Sequence, residues 1–314
     1  MAIQVPFLDL SVQDDERGRL LGVMEQVLSH GRLVMGPEIE VFEERIAAYC
    51  GRQYGVSVGS GTDALFMGLR ALEIGSGDEV ITTALSWVAT ANAIAMTGAV
   101  PVFADIRKDL NIDPASVERL ITPRTRAVLV VDYSGRMAEM ETLIEICERY
   151  HLHLVEDGSQ AFGALRNGKR CGSFGVLSAI SHNPMKVFAA TGEAGTVLCD
   201  DPVLYDRLVM LRYNGTVNRE ICIEPSFNGR MDTLQAAVLL VRLDAFDKLI
   251  AQRRENAAYY ISRLVGHVDL PKDGLHEQQV YYTFTIRTDK RDALEQYLSE
   301  CNIETKIQHR ILMP

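Results

Sequence analysis

The chain has 314 residues, enough for one large domain with a smaller one attached. Its 47% hydrophobic and 24% charged residues are typical of a globular protein, and no apolar run is long enough to span a membrane. The net charge of -10 argues against nucleic acid as a partner.

The start of the chain and the cysteines predict a cytoplasmic protein. Residues 1–6 lack the basic and apolar regions of a signal peptide. The six cysteines are widely spaced without a CxxC pair, so we expect reduced thiols and no zinc or iron–sulfur site. They are Cys50, Cys147, Cys171, Cys199, Cys222 and Cys301.

Helices and strands are predicted to alternate over the first 155 residues. Helices are predicted at 12–30, from 37, from 61, at 86–98, 114–120 and 139–150, and strands at 54–58, 79–84, 100–104, 127–131 and 152–155. This order predicts an α/β fold with a mostly parallel sheet covered by helices on both faces. Ligands of such sheets bind beyond the carboxyl ends of the strands.

The pattern changes after about residue 200. We expect a helix at 202–212, an irregular segment at 222–230, helices at 231–245 and 246–264, a strand at 280–287, a helix at 292–301 and a strand starting at 304. These elements suggest a large domain over 1–245 and a smaller α+β domain over 246–314. Because the chain stops directly after a predicted strand, we expect the small domain to be truncated.

One lysine has a setting that favours chemistry. Lys186 follows the buried apolar run 174–180 and a polar turn that starts at Ser181, and a glycine-bearing stretch comes next. A lysine desolvated in such a turn can lose its charge and become a nucleophilic amine. A surface lysine after a strand is the plain alternative. An acid and a glycine turn upstream favour the first interpretation.

The acid is Asp157, at the end of the predicted strand 152–155. It could pair with the pyridine nitrogen of pyridoxal 5′-phosphate (PLP) and keep that ring protonated as an electron sink. Gln160 could face the same ligand and donate to its ring oxygen. The alternatives are a helix N-cap for Asp157 and a capping-box partner for Gln160.

The glycine turn is Gly61-Thr62-Asp63, where a strand gives way to a helix. Free backbone N–H groups and the helix dipole make a phosphate site at such a place, although glycine turns are common in α/β proteins. Ser181 could add a hydroxyl to the same phosphate, and its alternative is an ordinary serine at a strand end.

Three further side chains lie close in sequence to these segments or to a predicted strand end. Trp87, the only tryptophan, could stack on the cofactor ring, with core filling as the alternative. His182 has no companion at metal-ligand spacing and is expected to be structural. Glu193 has the plain interpretation of a solvated loop acid.

Five segments in one order resemble the DegT/DnrJ/EryC1/StrS family of PLP-dependent sugar aminotransferases, and together they span nearly the whole chain. They are GRLVMGPE at 31–38, SGTDAL at 60–65, EDGSQ at 156–160, SHNPMK at 181–186 and FNGRMD at 227–232. The resemblance implies the type I aminotransferase fold and Lys186 as the lysine that carries PLP. It also implies a homodimer with shared active sites, in which Asn228 reaches the phosphate of the neighbouring subunit.

The resemblance further implies amino transfer, usually from glutamate, to a keto-sugar carried on a nucleotide. The segment Asp132-Tyr133-Ser134-Gly135 departs from the family, which commonly carries a histidine before this glycine, and it leaves the sugar open. Two alternatives remain. One is a PLP-dependent deoxysugar dehydratase of the same family, which the presence of Lys186 and the scattered cysteines disfavour. The other is a non-catalytic regulatory protein that binds PLP or a sugar.

Overall fold

The structure is a computed structural model that describes residues 3–309 and 312–313. Within these residues the helices are α1 (Asp14–His30), α2 (Pro37–Cys50), α3 (Gly61–Ala71), α4 (Ala89–Met96), α5 (Pro114–Arg119), α6 (Met140–Tyr150), α7 (Pro202–Arg212), α8 (Thr233–Asp244), α9 (Phe246–Leu264) and α10 (Arg291–Glu300). A single 3-10 turn covers Tyr133–Gly135.

The strands are β1 (Tyr54–Val58), β2 (Glu79–Thr83), β3 (Val100–Ala104), β4 (Thr125–Val131), β5 (His153–Asp157), β6 (Leu165–Arg166), β7 (Lys169–Arg170), β8 (Leu177–Ser181), β9 (Gly195–Cys199), β10 (Thr216–Val217), β11 (Ile221–Cys222) and β12 (Glu277–Gln278). Seven of them form one sheet in the order β1-β9-β8-β5-β4-β2-β3. Strand β9 runs opposite to the other six strands of this sheet. The prediction of an α/β fold with a mostly parallel sheet is confirmed.

The sheet divides the interior into two apolar layers, as a sheet covered on both faces requires. Along β4, Val128 and Val130 belong to one cluster, whereas Ala127 and Leu129 belong to the other. This alternation follows from the two-residue period of a strand. It also explains why β4 is a nearly continuous apolar run, as expected for a strand buried on both faces.

Two predictions about the C-terminal part are wrong. Residues 280–287 do not form a strand, although their β-branched and aromatic residues predicted one. The Arg253 side chain donates a hydrogen bond to the Val280 carbonyl, so this carbonyl is not free for a strand partner. An isolated bridge between Asp269 and Arg287 is present instead of a ladder. The strand start expected at 304 is also missing from the described residues, and a single bridge joins Val5 to Ile303 instead.

The remaining part after α8 packs on the body of the sheet domain. Strand β12 pairs with β6, so that Glu277 stands opposite Arg166. The domain boundary predicted at 245 falls at Ala245, between α8 and α9, and it stays a prediction. Among the described helices, none combines the length and the apolar character that a membrane span requires.

Candidate active site

The turns that follow β5 and β8 lie side by side, because these strands are parallel neighbours in the sheet. Gly158 donates its backbone N–H to the Ala179 carbonyl over 3.0 Å. The N–H of Ser181 donates to the Ser159 hydroxyl oxygen over 3.1 Å. The structure therefore brings the acid turn that begins at Asp157 against the turn that leads to Lys186.

The glycine turn at the start of α3 completes this edge of the sheet. Ser60 caps the helix, since its hydroxyl oxygen accepts the Asp63 N–H over 3.0 Å. A Cβ atom on Gly61 would lie 2.5 Å from the Cβ of Ser181, so only glycine fits there. Ser181 and the first turn of α3, which includes Thr62, thus share one small cradle, as the phosphate prediction requires.

Lys186 lies in a turn, half-buried, and its backbone N–H donates to the Asn183 carbonyl over 2.8 Å. Burial lowers the pKa of its amine, while the charges of Asp157 and Glu193 oppose that effect. The ring centroid of Tyr282 lies 4.9 Å from the amine nitrogen. The lowered pKa favours the neutral, nucleophilic form of the amine, whereas the ring face attracts the ammonium form.

Asp157 is 5% exposed and ends β5. Burial raises the pKa of its carboxyl group, and hydrogen bonds from Ser159 together with the charge of Lys186 partly offset this. Its Oδ1 accepts the Ser159 N–H over 3.1 Å. Turns rather than a helix follow it, so the N-cap interpretation is wrong.

Gln160 is buried beside the acid turn. Its Oε1 accepts the Ser134 N–H over 2.9 Å, which ties it to the end of β4. No helix begins here, so the capping-box interpretation is wrong as well. With the oxygen engaged, the NH₂ group of the amide is the part that could donate to a ring oxygen.

The other two predicted residues lie at the surface of the chain. Trp87 is 64% exposed in the turn before α4, which starts at Ala89 rather than at Ser86 as predicted, so the core-filling interpretation of the indole is wrong. Asn228 is exposed, and its Oδ1 accepts from Nε of Arg230 over 2.7 Å. Their cofactor contacts stay predictions.

Two neighbours of Lys186 have structural roles. His182 is fully buried, and its Nε2 lies 2.8 Å from the Thr196 hydroxyl oxygen. Burial lowers the pKa of this imidazole to about 3, so it is neutral at pH 7, and its structural assignment is confirmed. Glu193 accepts a hydrogen bond from the side-chain amide of Asn183 over 2.6 Å, which ties the two ends of the lysine loop together.

Two residues at this edge were missed from the sequence. Tyr282 comes from a segment expected to be a strand, and only packing shows that it faces Lys186. Ser134 lies in the segment whose departure from the family bears on the sugar, and its backbone contact with Gln160 required the structure. Its φ is 61°, and that of the next residue, Gly135, is 96°.

PLP fits this arrangement on the chemistry of its donor set. The α3 amides and the Ser181 hydroxyl suit a phosphate group. Asp157 is buried and its carboxyl group feels the charge of Lys186, and a buried acid in that setting suits the protonated nitrogen of a pyridine ring. Lys186 supplies the amine. These groups converge from three separate parts of the chain.

Comparison with known proteins agrees with this fit. Residues 14–313 match the model of the DegT/DnrJ/EryC1/StrS aminotransferase family. The chain belongs to this family. It is an aminotransferase and its cofactor is PLP, as the sequence predicted.

Three curated relatives cover 96 to 98% of this chain. A dTDP-3-amino-3,4,6-trideoxy-alpha-D-glucose transaminase of Streptomyces venezuelae is 41% identical over 81% of its own length. A pleiotropic regulatory protein of Geobacillus stearothermophilus is 37% identical over 84% of its length. A 3-oxo-glucose-6-phosphate:glutamate aminotransferase of Bacillus subtilis is 33% identical over 72% of its length.

Solved structures show the same likeness. The S. venezuelae protein DesV, solved with a ketimine intermediate, superposes with a TM-score of 0.96 at 40% identity, covering 98% of this chain and 84% of its own. NtdA of B. subtilis, solved with the bound cofactor PMP, superposes with a TM-score of 0.92 at 32% identity, covering 99% and 74%. Both belong to the fold predicted for this chain.

Proposed function

We propose that this aminotransferase moves an amino group from glutamate to carbon 3 of an oxo-hexose, most often one carried on a nucleoside diphosphate. The observation that supports it is the convergence of Lys186, Asp157 and the Gly61–Ser181 cradle at one edge of the sheet. A site with an amine, a buried acid and a phosphate cradle suits amino transfer through PLP.

The residues of the chain have distinct tasks in this proposal. PLP, when bound, supplies the electron sink for amino transfer. Asp157 would hold the proton on the pyridine nitrogen, and the α3 amides with Ser181 would bind the phosphate. Lys186 would accept the proton from the carbon that bears the amino group of the donor and later give it up, so its amine must pass between the neutral and the protonated form.

The choice of substrate rests on what the names of relatives have in common. The S. venezuelae relative is named for a 3-amino sugar, and the B. subtilis relative for a 3-oxo sugar and glutamate. Two further relatives, 34% identical, are named for a UDP-linked 3-oxo sugar and a UDP-linked 3-dehydro sugar. These names support carbon 3 as the site of amination, and the B. subtilis name supports glutamate as the donor.

The decisive experiment is the donor half-reaction of the PLP-loaded protein. With glutamate alone, 2-oxoglutarate should be released in an amount equal to the protein sites. In a separate sample of the PLP-loaded protein that has not been exposed to glutamate, borohydride reduction and peptide mapping should locate the cofactor on Lys186. In Lys186→Ala the rate of 2-oxoglutarate release should fall by about a hundredfold or more, because the substitution removes the group that acts as general acid and base. Lys248→Ala, on the exposed side of α9, is the matched control and should behave like the wild type.

The acceptor is tested separately. A 3-oxo and a 4-oxo hexose on the same nucleotide should be compared, and nuclear magnetic resonance should place the new amine on carbon 3. A loaded protein that releases no 2-oxoglutarate would contradict the donor assignment. The regulatory alternative, which the name of the Geobacillus relative favours, would then become the better proposal.

We also propose that the working unit is a homodimer in which Asn228 of one subunit reaches the phosphate site of the other. Gly229, the next residue, accepts a hydrogen bond from Gly59 over 2.8 Å, so Asn228 stands beside the phosphate turn and remains exposed. The hairpin β10–β11 nearby exposes Ile221 and Ile223 by 60% and 62%. Exposed apolar side chains of this kind mark a surface that a partner covers.

Mixing two inactive variants tests the shared site. Lys186→Ala and Asn228→Ala chains should each be inactive or weak alone, and a heterodimer should hold one site with both lesions and one with neither. Activity should therefore return on mixing, toward about a quarter of the wild type if chains exchange at random, because two-fold symmetry makes half of the dimers heterodimers. Heterodimers that restore nothing would remove Asn228 from the shared site.

The free state of all six cysteines supports the predicted cytoplasmic location, which also stays a proposal.

A further inference from the structure

Tyr282 faces the amine of Lys186, although it belongs to none of the segments that identify the active site. The amine nitrogen lies over the aromatic ring, 4.9 Å from its centroid. This is within the distance of about 6 Å at which a ring face attracts an ammonium group. The contact joins the C-terminal part of the chain to the lysine loop after β8.

The backbone that carries Tyr282 is held from two sides. From α9, the Arg253 guanidinium donates to the Val280 carbonyl over 3.1 Å and to the Tyr282 carbonyl over 3.2 Å. From the opposite side, the Val280 N–H donates to the Gly135 carbonyl over 2.8 Å. A Cβ on Gly135, whose φ is 96°, would lie 2.5 Å from the Tyr282 nitrogen. These contacts fix the ring in place above the lysine.

We propose that Tyr282 is a positioning residue for Lys186, whose ring face holds the amine nitrogen in place and favours the protonated amine. The proposal rests on the proposed role of Lys186 and concerns a different residue. Lys186 must return a proton as well as take one, so its ammonium form needs stabilising within a buried site. A ring face supplies that stabilisation without adding a carboxylate that could trap the ammonium in an ion pair.

Other groups also face Lys186 and remain in place in every variant proposed below. Asp157 at the end of β5 and Glu193 in the loop before β9 favour the ammonium form, whereas burial opposes it. His309 lies on the C-terminal side, where burial and the charges of Lys306 and Lys186 lower the pKa of its imidazole. Because these groups are unchanged, a shift in the variants reports on the ring.

The test measures the pKa of Lys186 in the full chain without cofactor. Cyanate modifies neutral amines, so the rate at the Lys186 peptide is followed by mass spectrometry across pH. Tyr282→Leu keeps an apolar cover and removes the ring, so the pKa of Lys186 should fall. At a pH below the pKa of Lys186 in both proteins, the cyanate reaction at Lys186 should be about two- to thirtyfold faster in Tyr282→Leu than in the wild type. This range corresponds to the loss of one ring–ammonium contact. Tyr282→Phe keeps the ring and should match the wild type.

Several results would overturn the proposal. One is a titration midpoint in Tyr282→Leu that stays unchanged or moves up, and another is an equal shift in Tyr282→Phe. A higher plateau rate at high pH with no shift of the midpoint would show that the ring only covers the amine. The rate at exposed Lys248 in the same digest reports any general loosening of the fold.

A second variant covers the case in which Tyr282→Leu does not fold. Arg253→Lys releases some of the carbonyl contacts that hold the ring, and it should lower the midpoint by a smaller amount. A midpoint equal to that of the wild type would count against the proposal. Cofactor fixed on Lys186 by borohydride would still support the proposed function in either case, so the two proposals fail separately.

Discussion

Two buried acidic regions begin at neighbouring residues of β5, Glu156 and Asp157. They differ in how many hydrogen bonds the protein donates to their carboxyl groups. Glu156 points into a closed region, where its carboxylate accepts the Gly172 N–H over 3.0 Å, the Phe174 N–H over 3.0 Å and the Ser178 hydroxyl over 2.6 Å. Asp157, the next residue, accepts chiefly from Ser159.

The closed region also contains Asp132, which is fully buried. Its Oδ1 accepts the Ala138 N–H over 2.9 Å, and its Oδ2 accepts from Cys171 Sγ over 3.5 Å. Burial and the adjacent Glu156 raise the pKa of Asp132 well above its usual range, which favours the protonated form of this carboxyl group beside Glu156. Asp132, Glu156 and Cys171 have possible metal-ligand atoms within 4.8 Å of one another, yet each of them already makes hydrogen bonds within the protein.

Burial of a carboxyl group therefore does not by itself mark an active site. Both regions hold buried carboxyl groups at the end of the same strand. In one region, protein donors satisfy the carboxyl groups, which suits a structural role. In the other, the charges of an acid and an amine act on each other, which suits the proposed chemistry. Substitutions that keep side-chain shape can separate these roles.

The largest expected effect belongs to Asp157→Asn. The amide keeps the shape but no longer holds the proton on the pyridine nitrogen, so transamination should fall by about a hundredfold, as for the loss of one active-site electrostatic partner. Affinity for PLP should change much less. Turnover and cofactor affinity, measured by absorbance titration, check this, and turnover like that of the wild type would show that Asp157 has no part in the chemistry.

A smaller effect is expected for Glu156→Gln, the matched change one residue earlier. The amide presents an NH₂ group to N–H and O–H donors, so the free energy of unfolding should fall by about 2–3 kcal/mol. Turnover per folded, loaded site should stay within about twofold, if the closed region is only structural. Denaturant titration measures the first quantity and active-site counting the second; a stable variant with lost turnover would reverse the roles assigned to the two acids.

The smallest effect is expected for Asp132→Asn, because an NH₂ group can donate to Glu156 where the neutral acid does. Near pH 5 the stability should change by less than about 1 kcal/mol. The raised pKa means that the folded chain keeps a proton that the unfolded chain loses above its pKa of about 3.9. The wild type should therefore lose stability relative to Asp132→Asn as the pH rises from about 4. Thermal melts of both proteins at several pH values check the slope, and parallel curves would show that Asp132 is ionised in the folded state.

The sequence was sufficient for features that depend on neighbouring residues. The alternation of strands and helices up to β5 follows from local periodicity, and the turns holding Asp157 and Lys186 stand directly after apolar runs. Their meeting could be inferred because parallel strands end at one edge of a sheet. Glycine at position 61 was predicted for its free N–H groups, whereas its contact with Ser181 required the structure.

Features that depend on packing between distant parts of the chain could not be predicted from the sequence. The segment that carries Tyr282 has the composition of a strand, but the side chain of Arg253 on α9 donates hydrogen bonds to its backbone carbonyls. Nothing in the pattern around residue 282 points to Lys186, nearly a hundred positions earlier. The pairing of Asp132 with Glu156 also required the structure, because the raised pKa of Asp132 depends on burial and on a neighbour from another strand, which no local pattern records.

The place of β1 in the sheet has a consequence for synthesis. Its neighbour in the sheet is β9, where Val58 pairs with Gly195. Because β9 is synthesised much later, β1 cannot pair with it until that part of the chain has been made. At about 5–20 residues per second, roughly ten seconds separate the two on the ribosome. Until then, apolar Val56 and Val58 have no sheet to join. We expect nascent chains that end before β9 to need a chaperone and to retain no PLP, whatever the order in which their helices form.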